Sequence, residues 1–203
     1  MIDEPLRRFL ERLASADPTP GGGSVSALAA ALAAGLLAMV SRLSTRKGDD
    51  PIFAQTLSTV EAARTALMDL LVRDAEAFDA VMHAMRLPRA TEEEKQRRQH
   101  AIQVALRGAV EVPLAVAAHA LAVLEAAPVM ARMGNPNAIS DVGVGTLLAH
   151  AALHGALLNV RINLKSIKDE PYRAATTARM GTLAERSDEL RGMALAAVDG
   201  RLI

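Results

Sequence analysis

A glycine-rich turn that leads into a charge-free helix is the most constraining feature of this chain. The turn covers Pro18–Ser24 (PTPGGGS), and no charged residue follows it before Arg42. The apolar run from Val25 to Val40 predicts a helix with almost no polar side. Such a helix has to be enclosed by other elements, so we expect the rest of the chain to pack around it.

The same turn is a candidate binding site. Glycines that lead into a helix let a ligand approach the backbone closely, and the first N–H groups of the helix have no intrahelical partner. Together with the helix dipole, these groups suit an anionic or carbonyl-rich ligand. Gly and Ser are also ordinary turn and cap residues. Binding and plain capping therefore both stay open.

The segment Gly21–Ser41 also has the length of a membrane span. It is rich in Ala, Gly and Ser, it is the only such segment that the sequence suggests, and it follows a mixed-charge helix. We therefore expect a buried central helix and no membrane association. Asp3, Glu4, Glu11 and Asp17 argue against a secretory leader, so the predicted location is the cytoplasm.

Composition excludes several classes of function. Among the 203 residues, Lys plus Arg and Asp plus Glu number 23 each, so no overall charge favours nucleic acid. The chain has no cysteine, which excludes disulfides, thiolate zinc sites and cysteine nucleophiles. Its aromatic residues are Phe9, Phe53, Phe78 and Tyr172, too few for base stacking along a single strand. We predict no nucleic-acid partner.

Apolar periodicity and cap residues predict helices throughout the chain, with no alternating strand pattern. A capping box of Thr91 and Glu94 opens the fourth helix, which Pro113 is expected to kink or split. The predicted helices cover about Pro5–Leu13, the glycine turn to Ser44, Pro51–Met85 after an Asp50 cap, Thr91 to a Gly134 cap, and Ala138–Ile167. A last helix starts with Asp169 and Pro171 and ends near Val198. We predict one all-α domain over residues 1–203, a bundle of six or seven helices.

Two of these helices, Val25–Val40 and Leu147–Val160, are apolar nearly all round. Only one or two helices can be fully enclosed in a chain of this length, and a helix without a polar side calls for additional cover. The sequence therefore favours a homodimer or higher homo-oligomer that dimerises through apolar helices. A compact monomer with one central helix is the alternative.

The turn Asn135–Asp141 (NPNAISD) is a second dense polar cluster. Asn137 or Ser140 could cap the helix that follows, with Asp141 placed in its first turn to suit the dipole. Alternatively, Asp141 exchanges a proton with a ligand or binds a ring N–H.

Other polar residues allow a structural or a functional interpretation. Asn159 and Asn163 share one helix face, where they could bond a neighbouring element or present amides to a ligand. Asp74 and Phe78 share a face of the third helix. Arg86 and Arg89 flank a loop where cations could meet an anionic tail, although arginines in such loops are mostly solvated.

A histidine pair, His150 and His154, has the i, i+4 spacing of a helical metal site. No motif in the sequence supplies a third ligand, so we predict no metal site. Ser24 and Ser140 lack the surroundings of a hydrolase nucleophile.

The order of these motifs resembles the cyclodeaminase/cyclohydrolase family of folate enzymes over roughly residues 5–195. Several segments carry the resemblance together: Pro18–Ser24 with its Ala-rich helix, Asp74–Phe78, Arg86–Pro88, Glu111–Leu114, Gly134-Asn135 with Ser140-Asp141, and Asn159–Lys165. The segment Ser44–Asp50 departs from the family pattern of Thr-x-Gly, a basic residue and an aromatic residue. This departure bears on the choice between the two activities.

The resemblance implies an all-helical, oligomeric enzyme with no metal and no cofactor beyond its tetrahydrofolate substrate, which could be polyglutamylated. It implies Asp141 and Asp74 as acid/base groups. The implied substrate-binding residues are Pro20, Gly21, Gly22, Gly23, Ser24, Arg46, Lys47, Phe78, Arg86, Arg89, Asn135, Asn137, Ser140, Asn159 and Asn163.

Two activities share this implied pocket. Cyclodeamination of formimidoyltetrahydrofolate, a step of histidine degradation, gives methenyltetrahydrofolate and ammonia, and it is the activity that we expect first. The alternative is the methenyltetrahydrofolate cyclohydrolase. A non-catalytic helical folate-binding or scaffold protein is the rival from another class.

Overall fold

A computed structural model describes residues 2–44 and 51–202, and the described residues form an all-α fold. They contain six α-helices, one 3₁₀ turn and no strand. The helices are α1 (Leu6–Leu13), α2 (Gly22–Leu43), α3 (Pro51–Met85), α4 (Glu92–Met133), α5 (Ile139–Leu164) and α6 (Glu170–Leu202), and the 3₁₀ turn is Pro136–Ala138. The predicted fold class and the six helices are confirmed.

Helix α2 lies at the centre of the bundle and packs against α3, α4 and α5. Its small side chains allow this close packing on several sides, and Ala27, Ala30, Ala33, Ala34 and Leu37 are completely buried. Burial against three helices stabilises these faces of α2, whose sequence offers little polar surface. The predicted enclosure is confirmed for these faces, whereas one stripe of the helix stays exposed.

Helix α4 crosses Pro113 without a break, so the predicted split is wrong, whereas the alternative of a kink stays a prediction. A proline inside a helix removes its own N–H and frees the carbonyl four residues earlier, here that of Ala109. The side-chain Nδ2 of Asn163 donates to this carbonyl over 2.7 Å. Helix α5 therefore supplies the hydrogen bond that the proline removes, and the buried Pro113 stays within one long helix.

The turn between α4 and α5 is tied to the end of α2. Asn135 donates from its backbone N–H to Ser44 Oγ over 2.8 Å and from Nδ2 to the Leu43 carbonyl over 3.2 Å. Helix α5 has Ala138 at its N-cap and no side-chain cap, so the capping interpretation of Asn137 and Ser140 is wrong. Asn135 Oδ1 accepts from the Asn137 N–H instead, which closes the 3₁₀ turn.

Within residues 2–44 and 51–202, three helices, and not one, are long and apolar enough to cross a membrane. The stretches concerned belong to Gly22–Leu43, Glu92–Met133 and Pro136–Leu164, and they are 61%, 61% and 50% buried within the fold. The sequence-based count of one such segment is therefore wrong. The packing of these stretches inside the bundle accounts for their length and apolar character.

Apolar side chains remain exposed along one stripe of α2 and one stripe of α5. On α2 they include Leu32 and Leu43, both 55% exposed, and on α5 they include Leu147 and Leu158, at 50% and 61%. A separate cavity, lined by apolar side chains and by Arg64, adjoins the α2 stripe. Exposed apolar surface on the two helices singled out by the sequence is consistent with the predicted oligomer, which stays a prediction.

Candidate functional site

A hollow of about 570 Å³ lies where the start of α2 meets the second half of α3, the middle of α4 and the end of α5. Four separate stretches of the chain therefore contribute to one site. Its lining residues are Pro18, Thr19, Gly21, Gly22, Gly23, Asp74, Ala77, Phe78, Val81, Met82, Met85, Leu106, Ala109, Asn159, Ile162, Asn163, Lys165 and Ser166.

The carboxylate of Asp74, on α3, contacts the first turn of α2. The fully buried Ser24 donates from Oγ to Asp74 Oδ2 over 2.9 Å, and the Ser24 backbone N–H also bonds this carboxylate. Burial raises the pKa of Asp74 above its usual value, and the two bonds from Ser24 oppose that rise. The arrangement gives a carboxyl group that faces the hollow and exchanges its proton at a higher pH than a solvated aspartate does.

Gly23 leaves room for this carboxylate. A Cβ atom at Gly23 would lie 2.0 Å from Asp74 Oδ1, closer than any side chain permits. At Gly22 a Cβ would lie 3.3 Å from Nδ2 of Asn159, a contact that a small shift of that side chain relieves. The glycine turn therefore lets side chains of α3 and α5 pack closely against the start of α2. Gly23 is the position at which an added side chain would overlap Asp74.

Two asparagine side chains from α5 form the facing wall. Asn159 donates from Nδ2 to the Gly155 carbonyl over 2.9 Å, and Asn163 bonds the Ala109 carbonyl of α4. Both side chains line the hollow while making these bonds. Their structural and ligand-facing interpretations are therefore compatible, because each amide retains an oxygen that can accept from a ligand.

The remaining wall is largely apolar. The half-exposed Phe78 and the side chains of Val81, Met82, Leu106 and Ile162 line it. A flat ring system could rest on these side chains while polar groups of the opposite wall bind its edge. The site thus combines one titratable group, two amides and an apolar surface.

The turn before α2 is fixed by α1. Pro20 is buried next to the lining residue Thr19, and their peptide bond is cis. Arg12 donates from its guanidinium to the Thr19 carbonyl over 3.3 Å and pairs with Glu4 at 3.2 Å. A short amphipathic helix therefore holds the edge of the hollow.

Other predicted site residues lie elsewhere. Asp141 is in the first turn of α5, about 27 Å along the helix axis from Asn159 at 1.5 Å per residue. It does not line the hollow, and neither do Asn135, Asn137 and Ser140. In a single chain, therefore, the described structure does not place these residues in the hollow beside Asp74. The proton-transfer role of Asp141 stays a prediction.

The predicted basic residues also separate. Arg86 is exposed and does not line the hollow, whereas Arg89 lines a shallow groove with Lys95, Arg98 and Lys168. Arg98 donates twice to the carbonyl of Met85, a lining residue of the hollow, over 2.8 and 3.0 Å. The groove therefore adjoins the hollow. Arg46 and Lys47 lie outside the described residues.

Sequence reasoning missed most of the apolar wall. Val81, Met82 and Met85 continue the face of Asp74 and Phe78 at helical spacing, and Ile162 continues that of Asn159. Extending each predicted face by one or two turns would have found them. Leu106 and Ala109 carry no comparable signal, because only the packing of α4 against α5 brings them to the site.

The sequence profile of the formiminotransferase-cyclodeaminase family matches residues 5–182, which include the lining residues of the hollow. The chain belongs to this family. The family expected from the motifs is therefore confirmed, and the match covers all of α1 to α5.

Relatives and a solved structure agree with this assignment. A methenyltetrahydrofolate cyclohydrolase from Methylorubrum extorquens is 40% identical over 90% of both chains. The formimidoyltransferase-cyclodeaminase of Gallus gallus is 35% identical over 99% of this chain, which spans 38% of that longer protein. The crystal structure of a formiminotetrahydrofolate cyclodeaminase from Thermotoga maritima superposes with a TM-score of 0.87, at 29% identity over 99% of this chain and 98% of that one.

The close contact between Gly23 and Asp74 predicts that one methyl group added at position 23 lowers the stability of the fold. Gly23→Ala should lower the free energy of unfolding by about 1–3 kcal/mol, because the new Cβ overlaps the carboxylate. The same substitution made in an Asp74→Ala background should cost much less, since the overlapping group is gone. Urea unfolding of the four chains of this cycle measures the difference.

Two glycines provide matched controls. Gly22→Ala should change stability less than Gly23→Ala does, and Gly108→Ala should be neutral or stabilising because its Cβ meets nothing within 4 Å. Equal costs for Gly23→Ala with and without Asp74 would contradict the proposed contact.

Proposed function

We propose that the hollow binds a tetrahydrofolate derivative and that the chain is a methenyltetrahydrofolate cyclohydrolase. The observation that carries the catalytic part is Asp74, a half-buried carboxyl group of raised pKa that faces a hollow with one apolar and one polar wall. The 40% identical relative that matches over nine tenths of both chains bears this name, which supports the choice of activity. The pterin ring would rest on the wall formed by Phe78, Leu106 and Ile162.

In this reaction water adds to the carbon that bridges N5 and N10 of the cationic substrate. As a carboxylate, Asp74 accepts a proton from that water while a C–O bond forms at the bridging carbon. The C–N5 bond of the tetrahedral intermediate then breaks as the C=O bond forms, and N5 takes up the proton held by Asp74. The proton of the former hydroxyl group is released to solvent, and the formyl group stays on N10. The negative charge of Asp74 also favours the cationic substrate. General base help of this kind contributes about 10²–10⁴-fold in rate.

Cyclodeamination is the second candidate, which the superposition on the Thermotoga maritima cyclodeaminase favours. Here N10 attacks the formimino carbon on N5, and the tetrahedral intermediate expels ammonia. Asp74 would accept the N10 proton and return a proton to the departing nitrogen. Holding N10 against the carbon contributes most, since oriented intramolecular reactions gain about 7–11 kcal/mol.

A glutamyl tail would extend into the adjoining basic groove. Arg89, Lys95, Arg98 and Lys168 line this groove and present several cations to carboxylates. The predicted contact of Arg89 with the substrate tail is therefore retained as a proposal. Arg86 has no comparable support.

We further propose that the protein is a cytoplasmic homodimer. The exposed apolar stripes of α2 and α5 are the surfaces that a second copy would cover. No metal, nucleic acid or membrane enters the proposed reaction.

Two absorbance assays on the purified protein separate the proposed activities. Methenyltetrahydrofolate absorbs in the near ultraviolet, so a cyclohydrolase speeds the loss of this signal above the uncatalysed rate. A cyclodeaminase instead generates the signal from 5-formimidoyltetrahydrofolate and releases ammonia. Faster loss with the first substrate alone supports the main proposal, and growth with the second alone supports the other. A folded protein that is silent in both assays contradicts both enzymatic proposals.

Asp74→Asn should lower kcat by about 10²–10⁴-fold because it removes the base. In the parent chain, kcat/KM should fall as the pH drops through the raised pKa of Asp74, since the base is then protonated. The residual kcat/KM of the variant should not show this decrease at low pH.

The variant should not be less stable at neutral pH. A raised pKa in the folded state means that ionised Asp74 disfavours folding above its unfolded-state pKa, and asparagine carries no charge. Asp141→Asn is the matched comparison. Full activity in Asp74→Asn contradicts the role of Asp74, whereas loss in Asp141→Asn would require a second copy to bring Asp141 to the hollow.

The proposed dimer predicts how charged substitutions on the exposed stripes of α2 and α5 change the oligomeric state. A charge at a contact between apolar surfaces is costly to bury, so Leu32→Glu or Leu158→Glu should shift the sedimentation coefficient from dimer to monomer. Val104→Glu, at a similarly exposed position of α4, should leave it unchanged. A parent chain that sediments as a monomer at all concentrations would contradict the dimer.

A further inference from the structure

A second cluster of titratable side chains lies between α5 and α6, apart from the residues that line the hollow. His150 Nε2 lies 2.7 Å from Oδ1 of Asp188, and His154 Nε2 lies 3.7 Å from the same oxygen. The two imidazole rings are 4.4 Å apart between centroids. The histidine pair noted in the sequence thus gains a third potential ligand, Asp188, from a different helix.

The spacing of these atoms suits a small cation. The three candidate ligand atoms lie within 4.8 Å of one another. Around a tetrahedral zinc ion with bonds of about 2.0–2.1 Å, neighbouring ligand atoms are about 3.3 Å apart. Small side-chain rotations would therefore bring all three atoms to bonding distance of one ion. The i, i+4 histidines already point from one side of α5 towards the carboxylate on α6.

An ordinary ion pair does not account for the whole cluster. His150 has a hydrogen-bonding distance to Asp188, but Nε2 of His154 is buried and has no hydrogen-bond partner among the described residues. A buried nitrogen without a partner is costly. A metal ion bound at this nitrogen would remove that cost and use the lone pair of a neutral imidazole.

Nearby charges bear on the strength of the site. The carboxylate of Asp188 attracts a cation, whereas Arg161 and Arg191, which lie near His154, repel one. The affinity should therefore be lower than that of structural zinc sites with four ligands.

We propose that His150, His154 and Asp188 bind one transition-metal dication of the zinc class and so link α5 to α6. Two imidazoles and one carboxylate leave a fourth position for water. Nitrogen ligands select zinc, cobalt or nickel over magnesium and calcium, which prefer oxygen. The site is independent of the proposed folate chemistry.

Calorimetric titration of the metal-stripped, tag-free full chain with Zn²⁺ tests the proposal. We expect one ion per chain, no comparable binding of Mg²⁺, and a d–d absorption band when Co²⁺ is used. His154→Ala and Asp188→Asn should each weaken Zn²⁺ binding by at least about tenfold. His100→Ala, at an exposed histidine of α4, should bind as the parent does.

Melting curves supply the second readout and the check on folding. Zn²⁺ should raise the Tm of the parent and of His100→Ala, and not that of the two site variants, whose circular dichroism should match the parent without metal. No binding to the parent overturns the proposal. Equal binding in all four chains also overturns it, because the ion would then lie elsewhere.

Discussion

The enclosure of α2, which carries no charge before Arg42, is the constraint on which the rest of the architecture depends. The long helices α3, α4 and α5 cover most of its apolar surface, and one apolar stripe stays exposed. The polar atoms of α2 are then confined to its ends. The buried start of α2 is where Gly23 and Ser24 meet Asp74, and its far end is tied to the Asn135 turn. Packing at the centre thus determines where polar chemistry is possible.

At the start of α2 the fold provides room for a carboxylate by omitting side chains. Asp74 approaches so closely because Gly23 has no Cβ, and the N–H and hydroxyl groups of Ser24 compensate part of the cost of burial. The carboxyl group is therefore only partly solvated. Its raised pKa follows from this balance, and the same balance makes it suitable for proton transfer.

The sequence predicted what depends on local patterns, and it failed where distant segments meet. Residue spacing within each helix is enough to predict the Thr91–Glu94 capping box, the six helices and the shared face of Asp74 and Phe78. The partnership of Ser24 with Asp74 and the placing of Asp188 beside two histidines depend on helices that cross far apart in sequence. In the Asn135–Asp141 cluster, Asn135 closes a turn and holds the end of α2, a structural role that composition alone does not distinguish from binding.

The bond between Asn163 and the Ala109 carbonyl makes two distant positions dependent on each other. Pro113 frees this carbonyl, and Asn163 satisfies it from another helix. A change at Asn163 leaves a carbonyl orphaned only while Pro113 is present, and a non-proline residue at 113 would make this one hydrogen bond of Asn163 redundant. Within the family, the tolerance of either position to substitution should therefore depend on the residue at the other, a case of epistasis with a single hydrogen bond as its cause.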